Sequence, residues 1–325
     1  MRAAWYERQG PAGEVLLVGE LPDQVPSDGE VRIRLAASGV NPGDVKKRQD
    51  AFGYGMPYPK VIPHSDGAGL IDRVGPSVPI SRVGERVWCY GAQSYRAFGT
   101  AAEYVVVPSR LAVPLPESVS FEQGACLGIP CITAHRAVHI AGKVEGGTVL
   151  VQGGGGAVAD CAIALARHAG AYVLATARSE SGAAAAQWAG AHEVLRVDQE
   201  ERGSVAAKWG GRPHHIVEVD LAANIELDEQ LLPVGGTIAT YATSQLTTSI
   251  PFWLLVFKNI SLHFLGSDDF PAAAKDAAAL EVNAALEDGW PGFTVAHRLP
   301  LNAIADAHEL VEQGRLAGRV VLDLR

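Results

Sequence analysis

The chain has 325 residues, 48% of them hydrophobic and 19% charged, a balance that excludes an intrinsically disordered protein. Its 27 basic and 36 acidic residues give a formal net charge of −9 at pH 7, which argues against DNA or RNA as the main partner. No apolar run reaches the roughly 18 residues of a membrane-spanning helix, so we expect a soluble protein without a membrane partner.

The cysteines and the N-terminus bear on the cellular compartment. Cys89, Cys126, Cys131 and Cys161 lack metal-type Cys-x-x-Cys spacing, and a chain of this size needs no disulfide bonds. The N-terminal stretch also lacks the apolar segment of a signal peptide. We therefore expect a cytoplasmic protein.

The first part of the chain, residues 1–119, is rich in short β-type runs broken by Gly, Pro and Asp. The clearest runs are Glu30–Val40, Gly67–Gly75, Glu85–Gly91 and Ala101–Pro108. Such spacing predicts a mainly antiparallel β domain.

From residue 120 onward, apolar runs alternate with Ala-rich helical segments, the pattern of an α/β fold with a parallel sheet. The predicted strands are Gly147–Gln152, Tyr172–Ala177, His215–Val219, Gly236–Ala242 and Ile260–Gly266. Beyond residue 266 we expect two helices, Asp276–Gly289 and Leu301–Gly314, and a terminal strand over Gly318–Arg325.

Four consecutive glycines, Gly153–Gly156, lie between a predicted strand and a predicted helix, Ala157–His168. This is the context of a dinucleotide-binding turn: glycine lets the backbone approach a pyrophosphate, and the helix N-terminus adds partial positive charge. We expect the cofactor to contact the turn and the start of the helix, at Gly153, Gly155, Gly156, Ala157 and Val158. The alternative is a tight turn without a ligand.

The end of the next strand bears on the nucleotide's identity. NAD sites usually place an acidic residue there, whereas this chain has Arg178 and Ser179. Guanidinium and hydroxyl groups suit a 2′-phosphate, which favours NADP(H). Glu180 follows at once, and the alternative is that Arg178 is only a solvated charge.

Motifs along almost the whole chain resemble the zinc-independent quinone oxidoreductases of the medium-chain dehydrogenase/reductase superfamily, the group that includes zeta-crystallin. The matching segments include Gly39–Arg48, Val61–Gly75, Gly84–Trp88, Gly99–Pro108, Gly128–Ala137, the glycine turn, Val217–Ile225, Gly235–Ala242 and Gly314–Leu324. The resemblance implies a doubly wound Rossmann domain over residues 120–266. It also implies a GroES-like catalytic domain formed by residues 1–119 and 267–325.

The sequence departs from zinc-dependent members of the superfamily. Asn41 stands in the segment that holds their cysteine ligand, Ser65 aligns with their histidine ligand, and Gly91–Gly99 contains no cysteine lobe. A catalytic zinc needs about three protein ligands, so we expect a protein without a bound metal. His64, beside Ser65, is predicted to be packed rather than a ligand.

The resemblance also implies positions for the active site. Asn41 would lie near the nicotinamide and substrate, Tyr54 would form an aromatic wall of the substrate pocket, and Thr133 would touch the cofactor. Their alternatives are capping a turn, loop packing and a structural place in a helix. Further cofactor contacts are implied at Tyr241, Leu265, Gly266 and Arg319, the last toward the 2′-phosphate, although Arg319 could be a surface residue.

Without a zinc or a Tyr-x-x-x-Lys relay, the resemblance favours NADPH-dependent hydride transfer to quinones or related conjugated carbonyls. The alternatives are a non-catalytic nucleotide-binding or crystallin-like protein, and an enoyl-type reductase of a specialised pathway. Ile260–Gly266 is expected at the sheet edge, where relatives pair two copies, and this predicts a homodimer.

Overall fold

The computed structural model describes residues 1–314 and 318–325, with the backbone alone at Arg202. These residues form two compact units: unit 1 comprises Met1–Ile129 and Gly292–Arg325, and unit 2 comprises Pro130–Pro291. The closing motif Gly314–Leu324 lies partly outside the described residues.

The strands of the described chain are, in order, β1 (Arg2–Trp5), β2 (Leu17–Glu20), β3 (Glu30–Gly39), β4 (Asp66–Val74), β5 (Arg86–Cys89), β6 (Tyr104–Pro108), β7 (Ala112–Pro114), β8 (Thr148–Val151), β9 (Tyr172–Ala177), β10 (Glu193–Arg196), β11 (His215–Glu218), β12 (Thr237–Thr240), β13 (Ser261–Phe264), β14 (Val295–Pro300) and β15 (Arg319–Asp323). The helices are α1 (Ala12–Val15), α2 (Pro42–Arg48), α3 (Phe121–His139), α4 (Ala157–His168), α5 (Glu180–Trp188), α6 (Arg202–Trp209), α7 (Leu221–Leu231), α8 (Phe252–Phe257), α9 (Ala272–Glu287) and α10 (Ile304–Gln313). None of these helices is long and apolar enough to cross a membrane.

Unit 1 is built on a seven-stranded sheet of order β14-β15-β3-β4-β5-β7, with β6 also paired to β3. All pairs are antiparallel except β14 with β15. Long stretches of β3 and β4 are buried, and Ile33, Ile71 and Trp88 are among the residues fully enclosed in this unit. The predicted mainly antiparallel β domain is confirmed.

Unit 2 is built on a six-stranded parallel sheet of order β10-β9-β8-β11-β12-β13. The chain begins in the middle of this sheet, builds outward to one side and then to the other, which confirms the doubly wound Rossmann architecture. Trp209, Leu150 and Leu174 belong to its buried core. The direction in which successive strands are added reverses between β8 and β11. Sheets of this kind bind ligands at such a point, beyond the carboxyl ends of the strands.

The compact units divide the chain at Ile129–Pro130 and Pro291–Gly292, later than the predicted limits of residues 119 and 266. Helix α3 crosses the first division, and its opening half is held in unit 1 by a hydrogen bond from the Ile129 N–H to Asp66. Helix α9 packs on α4, and the Trp290 indole N–H lies 3.4 Å from the Asp160 carboxylate. These tertiary contacts have no counterpart in the sequence pattern.

Candidate functional site

The glycine turn follows β8 and is tied to the end of β9. The Gly153 N–H donates to Thr176 Oγ1 (3.1 Å) and the Gly154 N–H to the Thr176 carbonyl oxygen (2.7 Å). Gly153 has φ +70°, a conformation that glycine adopts without strain, and its carbonyl accepts the Gly156 N–H (3.0 Å). The turn thus leads directly into α4.

The four glycines differ in what makes glycine necessary. A Cβ atom would lie 2.8 Å from Val219 at Gly153, 2.7 Å from Ala186 at Gly154 and 2.7 Å from Gly182 at Gly155. The first three glycines are therefore required by packing. At Gly156 the nearest described neighbour of a Cβ is the Gly153 carbonyl oxygen at 3.5 Å, so this glycine leaves open space at the N-terminus of α4.

That helix N-terminus presents free hydrogen-bond donors. Within the described part of the chain, no acceptor binds the N–H groups of Gly155, Ala157 and Val158. Unpaired N–H groups at a helix start carry partial positive charge and suit an anion. The open space and these donors fit the pyrophosphate of a dinucleotide.

The end of β9 presents one free cation. Arg178 is exposed and has no hydrogen-bond or ion-pair partner among the residues that the structure describes. Ser179 caps α5: its Oγ accepts the Gly182 N–H at 3.0 Å. Arg196, at the carboxyl end of β10, is neutralised by Asp198 through two contacts of 2.8 and 2.7 Å.

The other predicted cofactor contacts of unit 2 lie either just after a strand of the sheet or within helix α3. Tyr241 follows β12 and is half-buried, with its N–H on the Glu218 carbonyl oxygen (3.2 Å), while Leu265 and Gly266 follow β13. Because the strands are parallel, these residues share the carboxyl edge of the sheet with the glycine turn and Arg178. Thr133 is buried within α3.

A buried carboxyl pair beneath the glycine turn has no signal in the sequence spacing. Glu218 and Asp228 are fully buried, and burial raises the pKa of both, so the pair retains a proton above the pH at which ordinary carboxyls lose it. The Gln152 amide donates to Asp228 (2.8 Å) and accepts from the Thr176 hydroxyl (2.5 Å). Since Thr176 holds the first glycine, the pair supports the turn.

In unit 1, Asn41 occupies the N-cap position of α2 and is 3% exposed. Its backbone N–H donates to the Asp44 carboxylate (2.8 Å). Its side-chain amide donates to Asp66 Oδ2 (2.6 Å) and accepts from Arg319 Nη2 (2.6 Å). Asp66 and Arg319 therefore fix the amide, which keeps one further N–H.

Asp66 is the residue of this site that sequence reasoning missed. Its two carboxylate oxygens each lie 2.9 Å from the Ile129 N–H, and burial raises its pKa to about 7 against the opposing effect of the Asn41 hydrogen bond. A Cβ at Gly128 would lie 2.0 Å from the carboxylate, so glycine and its non-helical kink in α3 make room for Asp66. The sequence feature that could have indicated Asp66 is Gly128, a glycine inside a helix.

Two further predicted site residues lie in unit 1. Arg319 is buried in unit 1, bonded to Asn41 and 5.8 Å from the centre of the Phe293 ring. Tyr54 is 56% exposed and stacks on Phe52 at 5.8 Å. A phosphate contact for Arg319 and a substrate contact for Tyr54 stay predictions.

His64 belongs to a buried hydrogen-bond chain with a single direction. Arg48 Nε can only donate, so His308 accepts at Nδ1 and donates at Nε2, and His64 accepts at Nε2 and donates at Nδ1. The chain runs through Arg48, His308, His64, Ser38 and Thr100 to the Asp66 carbonyl oxygen, with successive distances of 3.3, 3.0, 2.8, 2.8 and 2.7 Å. Neither nitrogen of His64 keeps a free lone pair, which confirms that it is packed.

Comparisons with known proteins agree with this architecture. The family description "Alcohol dehydrogenase GroES-like domain" matches residues 27–117, and "Zinc-binding dehydrogenase" matches residues 157–279. The quinone oxidoreductase of Homo sapiens is 32% identical over 98% of this chain and 95% of its own length. This chain belongs to the quinone oxidoreductase family. It is therefore an NAD(P)H-dependent oxidoreductase of the medium-chain dehydrogenase/reductase superfamily.

Solved structures share the fold of this family member over nearly its whole length. A mycobacterial protein in complex with NADPH has a TM-score of 0.84 and 26% identity over 99% of both chains. A protein named as an NAD-dependent alcohol dehydrogenase has the same TM-score and 28% identity, again over 99% of both chains. Because proteins named for different cofactors and activities share this fold, the reaction has to be argued from the site.

Proposed function

We propose that this protein transfers hydride from NADPH to quinones or related conjugated carbonyls, without a metal at the reacting centre. The observation that carries the proposal is the Asn41 amide, a neutral donor held between Asp66 and Arg319. It stands where zinc-dependent relatives have a ligand, and the neighbouring His64 imidazole has no free lone pair.

The residues of unit 2 fit NADP(H). The N–H groups of Gly155, Ala157 and Val158 would hold the pyrophosphate, and Arg178 with Ser179 would hold the 2′-phosphate. The NADPH complex of a structural neighbour supports this choice of nucleotide. When bound, the dihydronicotinamide supplies the hydride.

The rest of the chemistry is orientation and charge stabilisation. Reduction of a quinone or an enone delocalises negative charge onto an oxygen, so one hydrogen-bond donor and a closed, ordered site suffice. The remaining N–H of Asn41 would donate to that oxygen, and the Asp66 and Arg319 contacts would keep the amide oriented. Water could then supply the proton.

The test is a panel of small quinones, enones, enals, saturated ketones and saturated alcohols, assayed with both nicotinamides by absorbance. We expect oxidation of NADPH with quinones or enones, unchanged after prolonged chelation. Robust oxidation of a saturated primary alcohol without added metal would contradict the mechanism. Tight NADPH binding without any turnover would instead indicate the non-catalytic alternative, and activity confined to enoyl substrates the specialised reductase.

We also propose a homodimer paired through the edge of the unit 2 sheet. In the described chain β13 pairs only with β12, as the sequence predicted for an edge strand. Large apolar side chains are exposed on β13 and on α8 close by in the chain: Phe252, Trp253, Leu254, Phe257 and Phe264. An exposed apolar edge favours association with a second copy. Light scattering at micromolar concentration should give a dimer mass, and Phe264→Glu should shift it toward the monomer.

We further propose the cytoplasm as its location. Cys89 and Cys161 are buried free thiols, as expected in a reducing compartment. Fractionation of cells expressing the protein would test this, and recovery with a secreted or organellar fraction would contradict it.

A further inference from the structure

The C-terminal part of α3 carries two histidines one turn apart, His135 and His139, that face one carboxylate of α9. Their rings lie 4.7 Å apart, centre to centre. Oε2 of Glu281 lies 3.2 Å from His135 Nε2 and 3.4 Å from His139 Nε2. The ligand-type atoms of the three residues lie within 4.8 Å of one another. All three residues belong to unit 2.

The polar atoms of this cluster are not satisfied by the protein. His135 is 6% exposed, yet neither of its ring nitrogens, nor Nε2 of His139, has a hydrogen-bond partner in the described residues. The contacts with Glu281 are short, but they lack hydrogen-bond geometry. Buried polar atoms without partners are rare because they cost free energy.

A third histidine of unit 2 is buried and has hydrogen-bond partners for both ring nitrogens. His215 is 2% exposed, and its two nitrogens contact the Thr237 hydroxyl (2.8 Å) and the Ala137 carbonyl oxygen (2.7 Å). The unpaired nitrogens of His135 and His139 are therefore a particular feature of the cluster and not of buried histidines in this unit.

The separations of the two imidazole nitrogens from Glu281 match those between ligands of one metal ion. A tetrahedral zinc with bonds of about 2.0–2.1 Å separates its ligand atoms by roughly 3.3–3.4 Å. The observed separations from Glu281 Oε2 are 3.2 and 3.4 Å. We propose that His135, His139 and Glu281 bind a divalent transition-metal ion of the zinc type, with water in the fourth position.

Charge and access support this site. Helix α3 ends at His139, where the partial negative charge of a helix C-terminus favours a cation. The side chain of Glu281 is 44% exposed, which gives the ion a route from solvent.

The ion would join α3 to α9 and stabilise unit 2. Its ligands are residues other than Asn41 and Ser65, which stand where zinc-dependent relatives have ligands, and none of them belongs to the proposed reductase machinery. The sequence analysis predicted a protein without bound metal, and the proposal departs from that prediction. It does not rest on the proposed function.

The test uses tag-free protein freed of metal by chelation. Zn²⁺ is titrated in competition with a chromophoric chelator, and Co²⁺ is added separately to record the absorption of tetrahedral cobalt. We expect one tight site per chain, tetrahedral cobalt absorption, and no competition by Mg²⁺, which prefers oxygen ligands. His139→Ala and Glu281→Gln should each weaken Zn²⁺ by at least about 100-fold, because a ligand is lost from a three-ligand site.

His168→Ala is the matched control, since His168 pairs with Asp288 at 3.2 Å in the same unit, and no third ligand joins them among the described residues. It should leave Zn²⁺ affinity unchanged. Circular dichroism will confirm that each variant is folded, and the exposed Glu281 makes Glu281→Gln the safer one. Absence of a saturable site in the parent protein, or equal affinity in the parent and both ligand variants, would overturn the proposal.

Discussion

The glycine turn of unit 2 and the surroundings of Asn41 in unit 1 differ in whether their polar groups have hydrogen-bond partners. At the turn, the N–H groups of Gly155, Ala157 and Val158 and the guanidinium of Arg178 have no described partner. Around Asn41, both ends of the amide are bonded to buried side chains, Asp66 and Arg319.

This difference indicates which property, ligand binding or stability, depends on each of the two regions. Free donors near solvent are groups that an anionic ligand can satisfy, so changes there should alter binding and leave stability almost unchanged. A closed buried network fixes an orientation, so changes there should alter both the reaction and the stability. The predictions below separate these two kinds of effect.

The largest effect is expected from Asn41→Ala. Loss of an oxyanion donor should lower kcat by roughly 10²–10³-fold, more than it raises KM. The buried Asp66 and Arg319 would also lose their partner, at a cost of about 1–3 kcal/mol in the free energy of unfolding. Steady-state kinetics and chemical denaturation would measure the two effects.

Ser38→Ala separates stability from chemistry in the same unit. It removes the partner of the His64 Nδ1–H and should lower stability while leaving kcat within about twofold. If it lowered kcat as strongly as Asn41→Ala, the Asn41 effect would be attributable to general loss of structure.

Arg178→Ala tests the open region. A charge-assisted hydrogen bond is worth about 1.5–3 kcal/mol, so NADPH should bind roughly 10- to 150-fold more weakly. NADH lacks the 2′-phosphate and serves as the internal control, with nearly unchanged affinity. Fluorescence titration with both nucleotides would show whether the losses are equal, in which case Arg178 acts through structure.

The two neighbouring glycines offer a finer comparison. Gly156→Ala places a Cβ in open space and should weaken NADPH by about tenfold, since the methyl group would occupy the anion's approach, with little change in melting temperature. Gly155→Ala forces a Cβ to 2.7 Å from Gly182 and should cost about 1–3 kcal/mol of stability. Equal stability losses would mean that the space at Gly156 is not open.

Asp228→Asn should have the smallest effect, visible in its pH dependence. Burial raises the pKa of Asp228 in the folded state, so folded protein loses stability as pH rises from the unfolded pKa through the folded one. Asparagine has no such proton to lose and keeps an acceptor for Gln152. The variant should therefore gain on the parent by on the order of 1 kcal/mol between pH 5 and 8. Asp288→Asn at the surface should show no such gain.

Much of the fold could be predicted from the sequence because buried parallel strands are continuous apolar runs. The boundaries of β9 and α4 agree with those in the structure, and the edge position of β13 is confirmed. Strand β10 was missed because it is four residues long and only Leu195 is buried, so no apolar run marks it. Tertiary pairing with β9 makes it a strand.

The candidate site was predictable where one short segment carries the chemistry, as at the glycine turn. It was not predictable where distant segments meet. Asp66 acquires its role from Asn41 and Ile129, and Glu281 faces His135 only because α9 lies against α3. The His-x-x-x-His spacing was visible, but without a third ligand it indicates only one turn of a helix.

The hydrogen-bond chain from Arg48 also restricts which substitutions near His64 the protein can accept without losing stability. A Ser65→His substitution would restore an imidazole where zinc-dependent relatives have theirs, yet His64 beside it would stay committed to His308 and Ser38. Releasing His64 requires a change at Arg48 or His308, and either change leaves a buried partner unsatisfied. A mutational path that recruits His64 itself as a metal ligand would therefore pass through a less stable intermediate.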